Sequence, residues 1–262
     1  MSDIPPESRA ILKPAAKKFT LARRPASADL DFFVSWYWIV RWKLESGERF
    51  TQETLPYPCV NLVFERGASA AWGVISGRGS RLLDGAGAVL GIKLQPGAFR
   101  PFWGRPVAEL TDASVPLETI LGPECLTVEA EILDLTDDAA MVARVESFLR
   151  PRLPPRDEQV ALARRIVDKA ASDREIRKVD DLVTAVGIGK RAMQRLFHEN
   201  VGVSPKWVIQ RYRLQEAAEQ LAEGKSLDLA RLALDLGYFD QPHFIKDFKR
   251  MVGRSPGEYA RS

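Results

Sequence analysis

An internal duplication near the C-terminus limits what this chain can fold into more than any other feature. Phe197-His-Glu-Asn-Val-Gly-Val-Ser-Pro205 and Phe248-Lys-Arg-Met-Val-Gly-Arg-Ser-Pro256 share five of nine residues at an offset of 51. Upstream, Leu182-Val183 and Leu232-Ala233 pair at an offset of 50, so the second copy carries one extra residue in the turn that follows. Such a repeat is one supersecondary unit used twice. In each copy a short apolar helix leads into a glycine-containing turn, Gly187-Ile-Gly189 or Gly237-Tyr-Phe-Asp240, and then into a second helix rich in polar residues. The pattern is helix, turn, helix.

Both copies also end alike. In Gly-x-Ser-Pro the glycine permits a left-handed helix stop, the serine caps the next helix, and the proline takes its first position, where a missing N–H is harmless. Ser255-Pro-Gly-Glu258 adds a capping box. The second helix of the first copy, Lys190 to about Val201, buries Met193, Leu196 and Phe197, and leaves Arg191, Gln194, Arg195 and His198 off that stripe. Its counterpart, Gln241 to about Val252, buries Phe244 and Phe248, is capped by Asp240 and holds Pro242 in its first turn. Gln241, His243, Lys246, Lys249 and Arg250 stay available on its other faces.

Between the copies, Ser204 to about Ala222 reads as one helix of some 19 residues, which spans roughly 28 Å at about 1.5 Å per residue. Successive major-groove faces on one side of B-DNA lie about 34 Å apart. A rigid spacer of this length suits two polar helices in adjacent grooves, and Arg or Gln there bonds guanine or adenine edges bidentately. Antiparallel helix pairs that bind nothing are common. The duplicated stops and the single joining helix favour the DNA-reading alternative. The candidate DNA-binding residues on these helices are Lys190, Arg191, Gln194, Arg195, Gln241, His243 and Lys246.

These residues resemble the AraC/XylS family of bacterial transcription regulators. The match runs from about Ile166 to Arg261, through Ala233-Leu-Asp-Leu-Gly-Tyr-Phe-Asp-Gln-Pro-His-Phe-Ile-Lys-Asp-Phe-Lys-Arg250 and Gly253-Arg-Ser-Pro-Gly-Glu-Tyr259. The resemblance implies two recognition helices in successive major grooves. By position, Arg191, Gln194 and Arg195 in the first, and Gln241, Pro242 and Lys246 in the second, match the family's usual base-facing sites. Three positions depart from the pattern: Val183 stands for a small alanine, Gly189 for a capping serine, and Pro242 for a serine or glutamine able to donate to DNA.

The segment Arg150-Pro-Arg-Leu-Pro-Pro-Arg156 has three prolines in seven residues, which stop a helix and favour extended backbone. It divides the chain into an N-terminal domain, 1–150, and an AraC-type DNA-binding domain, 156–262. Before it, residues 32–40, 59–64, 70–75 and 88–94 are β-branched or aromatic runs punctuated by Gly, Pro and Ser, and read as strands. Val107–Leu110, Leu117–Leu121 and stretches near 128–135 and 138–149 have helical spacing. After it, Val160, Ala163, Val167 and Ala170 form one stripe on a helix from about 157 to 172. The expected fold is α+β: a strand-rich N-terminal domain, then an all-α domain of two helix-turn-helix units joined by a linker helix. The C-terminal fragment is expected to fold and bind DNA by itself.

Residues 30–122 are similar to an uncharacterised domain often found ahead of this DNA-binding unit, through Leu55-Pro-Tyr-Pro-Cys-Val-Asn-Leu-Val-Phe64 and Gly91-Ile-Lys-Leu-Gln-Pro-Gly97. By that analogy the domain senses a small-molecule effector, mediates homodimerisation, or both, and RNA polymerase is a further expected partner. Trp36, Tyr37, Trp38 and Trp42 either pack a core or line an apolar pocket, the core being favoured.

Charge agrees with this division. Residues 155–262 carry 20 Lys+Arg against 16 Asp+Glu, and residues 1–154 carry 18 against 19. The basic surplus is compatible with phosphate contacts and does not establish them. No apolar run approaches the roughly 18 residues of a membrane span, and Met1 to Glu7 lack a signal-peptide pattern, so the expected location is the cytoplasm. The alternative is an enzyme or redox-sensing domain fused to a DNA-targeting module. Both histidines, His198 and His243, lie in the C-terminal domain, so a histidine-ligated metal site in the N-terminal one is excluded. Cys59 and Cys125 read as small buried apolar residues ahead of redox sensors, and no cofactor or catalytic residue is expected.

Overall fold

A computed structural model describes residues 18–222 and 228–261; Met1 to Glu7, read above for a signal peptide, lie outside them. The N-terminal part contains β1 (Phe19–Pro25), β2 (Val34–Lys43), β3 (Arg49–Thr54), β4 (Asn61–Glu65), β5 (Ala70–Trp72), β6 (Gly79–Asp84), β7 (Ala86–Leu94), α1 (Arg100–Trp103), β8 (Ser114–Pro116), α2 (Leu117–Leu121), α3 (Cys125–Leu133) and α4 (Asp138–Leu149). Six strands form one antiparallel sheet in the order β1-β2-β7-β4-β5-β8, and β3 pairs with β6 as a separate ribbon.

Alternation along β2 separates the sheet's two faces. Tyr37 and Ile39 point into a core with Leu62, Phe64, Leu90 and Ile92, closed by Val128 and Ile132 of α3 and Met141, Val145 and Phe148 of α4. Trp36, Trp38 and Trp42 lie half-buried on the opposite face. There glycines on β7 make room: a Cβ at Gly91 would come 1.9 Å from the Trp38 ring, and one at Gly87 2.4 Å from Trp42. The aromatic cluster is thus split, with Tyr37 in the core and the tryptophans flat against the back of the sheet.

The four expected strand runs are present as β2, β4, β5 and β7 with shifted ends. Strands β1, β3, β6 and β8 were not expected. β3 (RFTQET) and β6 (GSRLLD) form a half-exposed ribbon, and such strands carry no apolar run to announce them. The four helical stretches are found, Val107–Leu110 as a 3-10 turn.

After the proline-rich connector come α5 (Glu158–Ser172), α6 (Val179–Val186), α7 (Lys190–Leu196), α8 (Pro205–Ala222), α9 (Leu229–Asp235), α10 (Gln241–Val252) and α11 (Pro256–Ala260). The linker helix α8 has 18 residues, about 27 Å at 1.5 Å per residue. Ser204 Oγ accepts from Trp207 N at 3.1 Å, as the Ser-Pro stop requires. α8 is buried along most of its length by Val208, Ile209, Leu214, Ala217, Ala218 and Leu221. Arg213 is buried too, donates to the Ala170 carbonyl of α5 at 3.0 Å, and has its pKa pulled down mainly by desolvation. The connector does not separate the cores: Leu55 and Val74 pack into the C-terminal one, and Val160 of α5 into the N-terminal one.

Candidate nucleic-acid interface

In the first unit α6 ends at Gly187, whose φ of 76° is the left-handed stop, and α7 starts from Gly189 without a side-chain cap. Met193, Leu196 and Phe197 face the core, and Arg191, Gln194, Arg195 and His198 face solvent. Arg191, Gln194 and Arg195 make no ion pair or side-chain hydrogen bond with another described residue. Lys190 differs. Its Nζ lies 2.8 Å from Asp180 on α6, and this bond holds the Asp180 carboxyl below its ordinary pKa. The α-helix does not continue to Val201 as the periodicity suggests: Phe197–Val201 widens into a π-helical turn. Buried Asn200 donates from Nδ2 to the Leu196 carbonyl at 3.2 Å, and Gly202 N–H reaches back to the Phe197 carbonyl at 2.9 Å. An amide inserted into the helical ladder has this effect.

In the second unit Asp240 accepts the His243 N–H at 2.8 Å and so caps α10. Phe244 and Phe248 are fully buried; Pro242, His243 and Lys246 are exposed and Gln241 half-buried. Asp247 is a buried carboxylate on the inner side of α10. It accepts from Gln210 at 3.2 Å and pairs with Arg250 at 3.3 Å, and His243 Nε2 stands 3.7 Å away. Of the candidates, the structure gathers Lys190, Arg191, Gln194 and Arg195 on α7, and Gln241, Pro242, His243 and Lys246 on the first turns of α10. It commits Lys190, and His243 in part, to acidic neighbours.

The N-terminal part grips both units away from these faces. Thr111 Oγ1 donates to the Gly202 carbonyl at 2.5 Å, with Val107 packed on the same glycine, and the Arg78 side chain lies on Gly253. Trp207 Nε1 donates to the Ser76 carbonyl at 2.8 Å. Arg211, 1% exposed, donates from Nε to the Pro56 carbonyl at 2.7 Å and stacks 4.2 Å from Tyr57 and 4.6 Å from Tyr212. The sequence carries no signal for these contacts, because Arg211 and Trp207 have the spacing of any amphipathic helix.

Cys59 and Cys125 are both buried, and burial pushes the Cys125 thiol up to about 11, which keeps it protonated and unreactive. Among the described residues no His, Cys, Asp and Glu group of three or more could hold a metal, and no helix is long and apolar enough to cross a membrane.

Comparison with known proteins assigns each part separately. Residues 182–262 match the family described as Helix-turn-helix domain, and residues 22–116 the one described as Domain of unknown function (DUF6597). The transcriptional regulator MtrA of Neisseria gonorrhoeae is 31% identical over 100 residues, covering 38% of this chain and 32% of that protein. A Streptomyces antibioticus protein named as an AraC-like transcription regulator is 32% identical over 83 residues, covering 32% of this chain and 27% of its own length. The chain thus spans about a third of the length of these two relatives. A solved AraC family regulator from Rhodopseudomonas palustris is similar at 25% identity and a TM-score of 0.35, over 38% of this chain and 95% of that one.

Proposed function

We propose, from the premise that residues 182–262 belong to the AraC-type helix-turn-helix family and residues 22–116 to a domain family of unknown function, that the whole chain is a sequence-specific DNA-binding transcription regulator. One observation carries the reading: Arg191, Gln194 and Arg195 stand exposed and, among the described residues, without an ion-pair or hydrogen-bond partner, on a helix anchored by Met193, Leu196 and Phe197. Unpaired Arg and Gln on a fixed helix are the side chains that bond base edges bidentately. The second unit supplies Gln241 and Lys246, with Lys190 and His243 freed from their acidic neighbours when phosphate competes.

The test is binding of the full chain to a duplex selected from random DNA, compared with unselected duplex across a salt series. The expected result is a preference for the selected duplex and an affinity that falls as salt rises. A folded chain without salt-sensitive binding sinks the reading.

On this reading the N-terminal domain controls the output, through a small-molecule effector or through a second copy of the chain, with RNA polymerase as the downstream partner and the bacterial cytoplasm as the location. A shallow, open groove of about 280 Å³, lined by Phe32 and by Val160, Ala161, Arg164, Arg165 and Asp168 of α5, lies where the two parts meet and is the first place to look for an effector. A thermal-shift screen of metabolites against the full chain tests this. If no compound stabilises the chain while it self-associates in ultracentrifugation, dimerisation is the control.

A further inference from the structure

The extra residue of the second unit can be identified. Leu182 to Gly187 aligns with Leu232 to Gly237, and the N-caps Gly189 and Asp240 align with each other. Between these points the first unit has only Ile188, which packs on the core, and the second has Tyr238 and Phe239. Tyr238 takes the inward role: it is 7% exposed, with its ring 5.5 Å from Phe244 and 5.7 Å from His243. Phe239 is therefore the insertion, and it is 91% exposed.

Its exposure is not that of a loose loop. Tyr238 N–H donates to the Ala233 carbonyl at 2.9 Å on one side, and Asp240 caps α10 on the other. The ring is held out by a frame fixed at both ends. Three residues on, Pro242 is also exposed and has no N–H to donate, so the entrance to α10 offers apolar surface where α7 offers Lys190 and Arg191. In a helix-turn-helix unit the N-terminal end of the second helix meets the base edges. The thymine C5-methyl is the one apolar feature that the major-groove edge presents, and Phe is among the side chains that contact it.

We propose that Phe239 reads a thymine C5-methyl in the groove entered by α10, so that the second unit recognises an A·T pair by apolar contact where the first reads by hydrogen bonds. The inference rests on the DNA-binding reading above. It also gives Pro242 a purpose, since a residue that cannot donate is suited to an apolar contact.

The experiment uses the full chain and its selected duplex, replacing each thymine in turn by uracil, which removes the methyl and leaves the pairing intact. One thymine in the half-site of the second unit should show a loss of about fourfold, the worth of one buried methyl group. Phe239→Ala should bind the thymine duplex more weakly by at least that factor and be indifferent to the same replacement, while Phe239→Leu keeps most of the sensitivity. Both variants should melt with the parent chain, because the ring is almost fully exposed. A flat uracil scan with specific binding intact overturns the role of Phe239 alone, as does undiminished sensitivity in Phe239→Ala. Complete absence of specific binding by the parent chain sinks both this inference and the reading beneath it.

Discussion

Arg195 owes its direction to its neighbours: Leu196 and Phe197 are buried immediately after it, and Met193 two residues before. If it bonds a base edge bidentately, Arg195→Ala should cost about 1–3 kcal/mol on the selected duplex and relax preference at one base pair. Thermal stability should be unchanged, since the side chain is exposed. A phosphate contact would instead weaken binding alike on all sequences and reduce the salt slope by about one, so titrations on selected and random duplex at several salt concentrations separate the two. The outward direction of Arg191, Gln194 and Arg195 was legible in the sequence, because periodicity alone decides it once Met193 and Leu196 are assigned inward. The pairing of Lys190 with Asp180 was not, since its partner sits on another helix. Nor was the burial of Asp247: a carboxylate normally marks a solvated face, and here Gln210 and Arg250 satisfy it below the surface.

Among the elements, the repeated stops separate what the sequence can convey from what it cannot. Their capping chemistry is local and was legible: Ser255 and Glu258 form the expected capping box, and Asp240 caps α10. Asp240→Ala should cost about 0.5–2 kcal/mol of stability by chemical denaturation and fray the first turn of α10. Gly202 and Gly253 have φ of 95° and 89°, so alanine at either should cost about 1–2 kcal/mol. Gly202→Ala should be the worse of the two, because its Cβ would meet Val107 Cγ1 at 3.1 Å and the Val107 carbonyl at 3.3 Å, whereas at Gly253 the flexible Arg78 side chain can withdraw. Equal denaturation midpoints would show that contact with the N-terminal part adds nothing at Gly202. The π-helical turn after Leu196 was not legible, because it depends on Asn200 turning its amide onto a backbone carbonyl.

In the chain as a whole, the change from a strand-rich to an all-helical part was legible in the sequence, but the mutual docking of the parts was not. It is made by Leu55 and Val74 entering one core, Val160 entering the other, and Trp207 and Arg211 bonding the carbonyls of Ser76 and Pro56. The fragment 156–262 should still fold by circular dichroism, with a lower melting temperature than the full chain, because these buried groups would then face water. Trp207→Phe in the full chain removes one buried donor and should cost about 1 kcal/mol. The docked N-terminal part leaves α7 and the first turns of α10 exposed, so the full chain should bind DNA without being opened. The most direct test of two reading helices is missing-base interference, which reports contacts at all four bases, on the selected duplex with the full chain. Two clusters of interference about 10 base pairs apart are predicted, the first lost in Arg191→Ala/Arg195→Ala and the second in Gln241→Ala/Lys246→Ala. A single cluster, or two that respond alike to both double variants, would contradict the account.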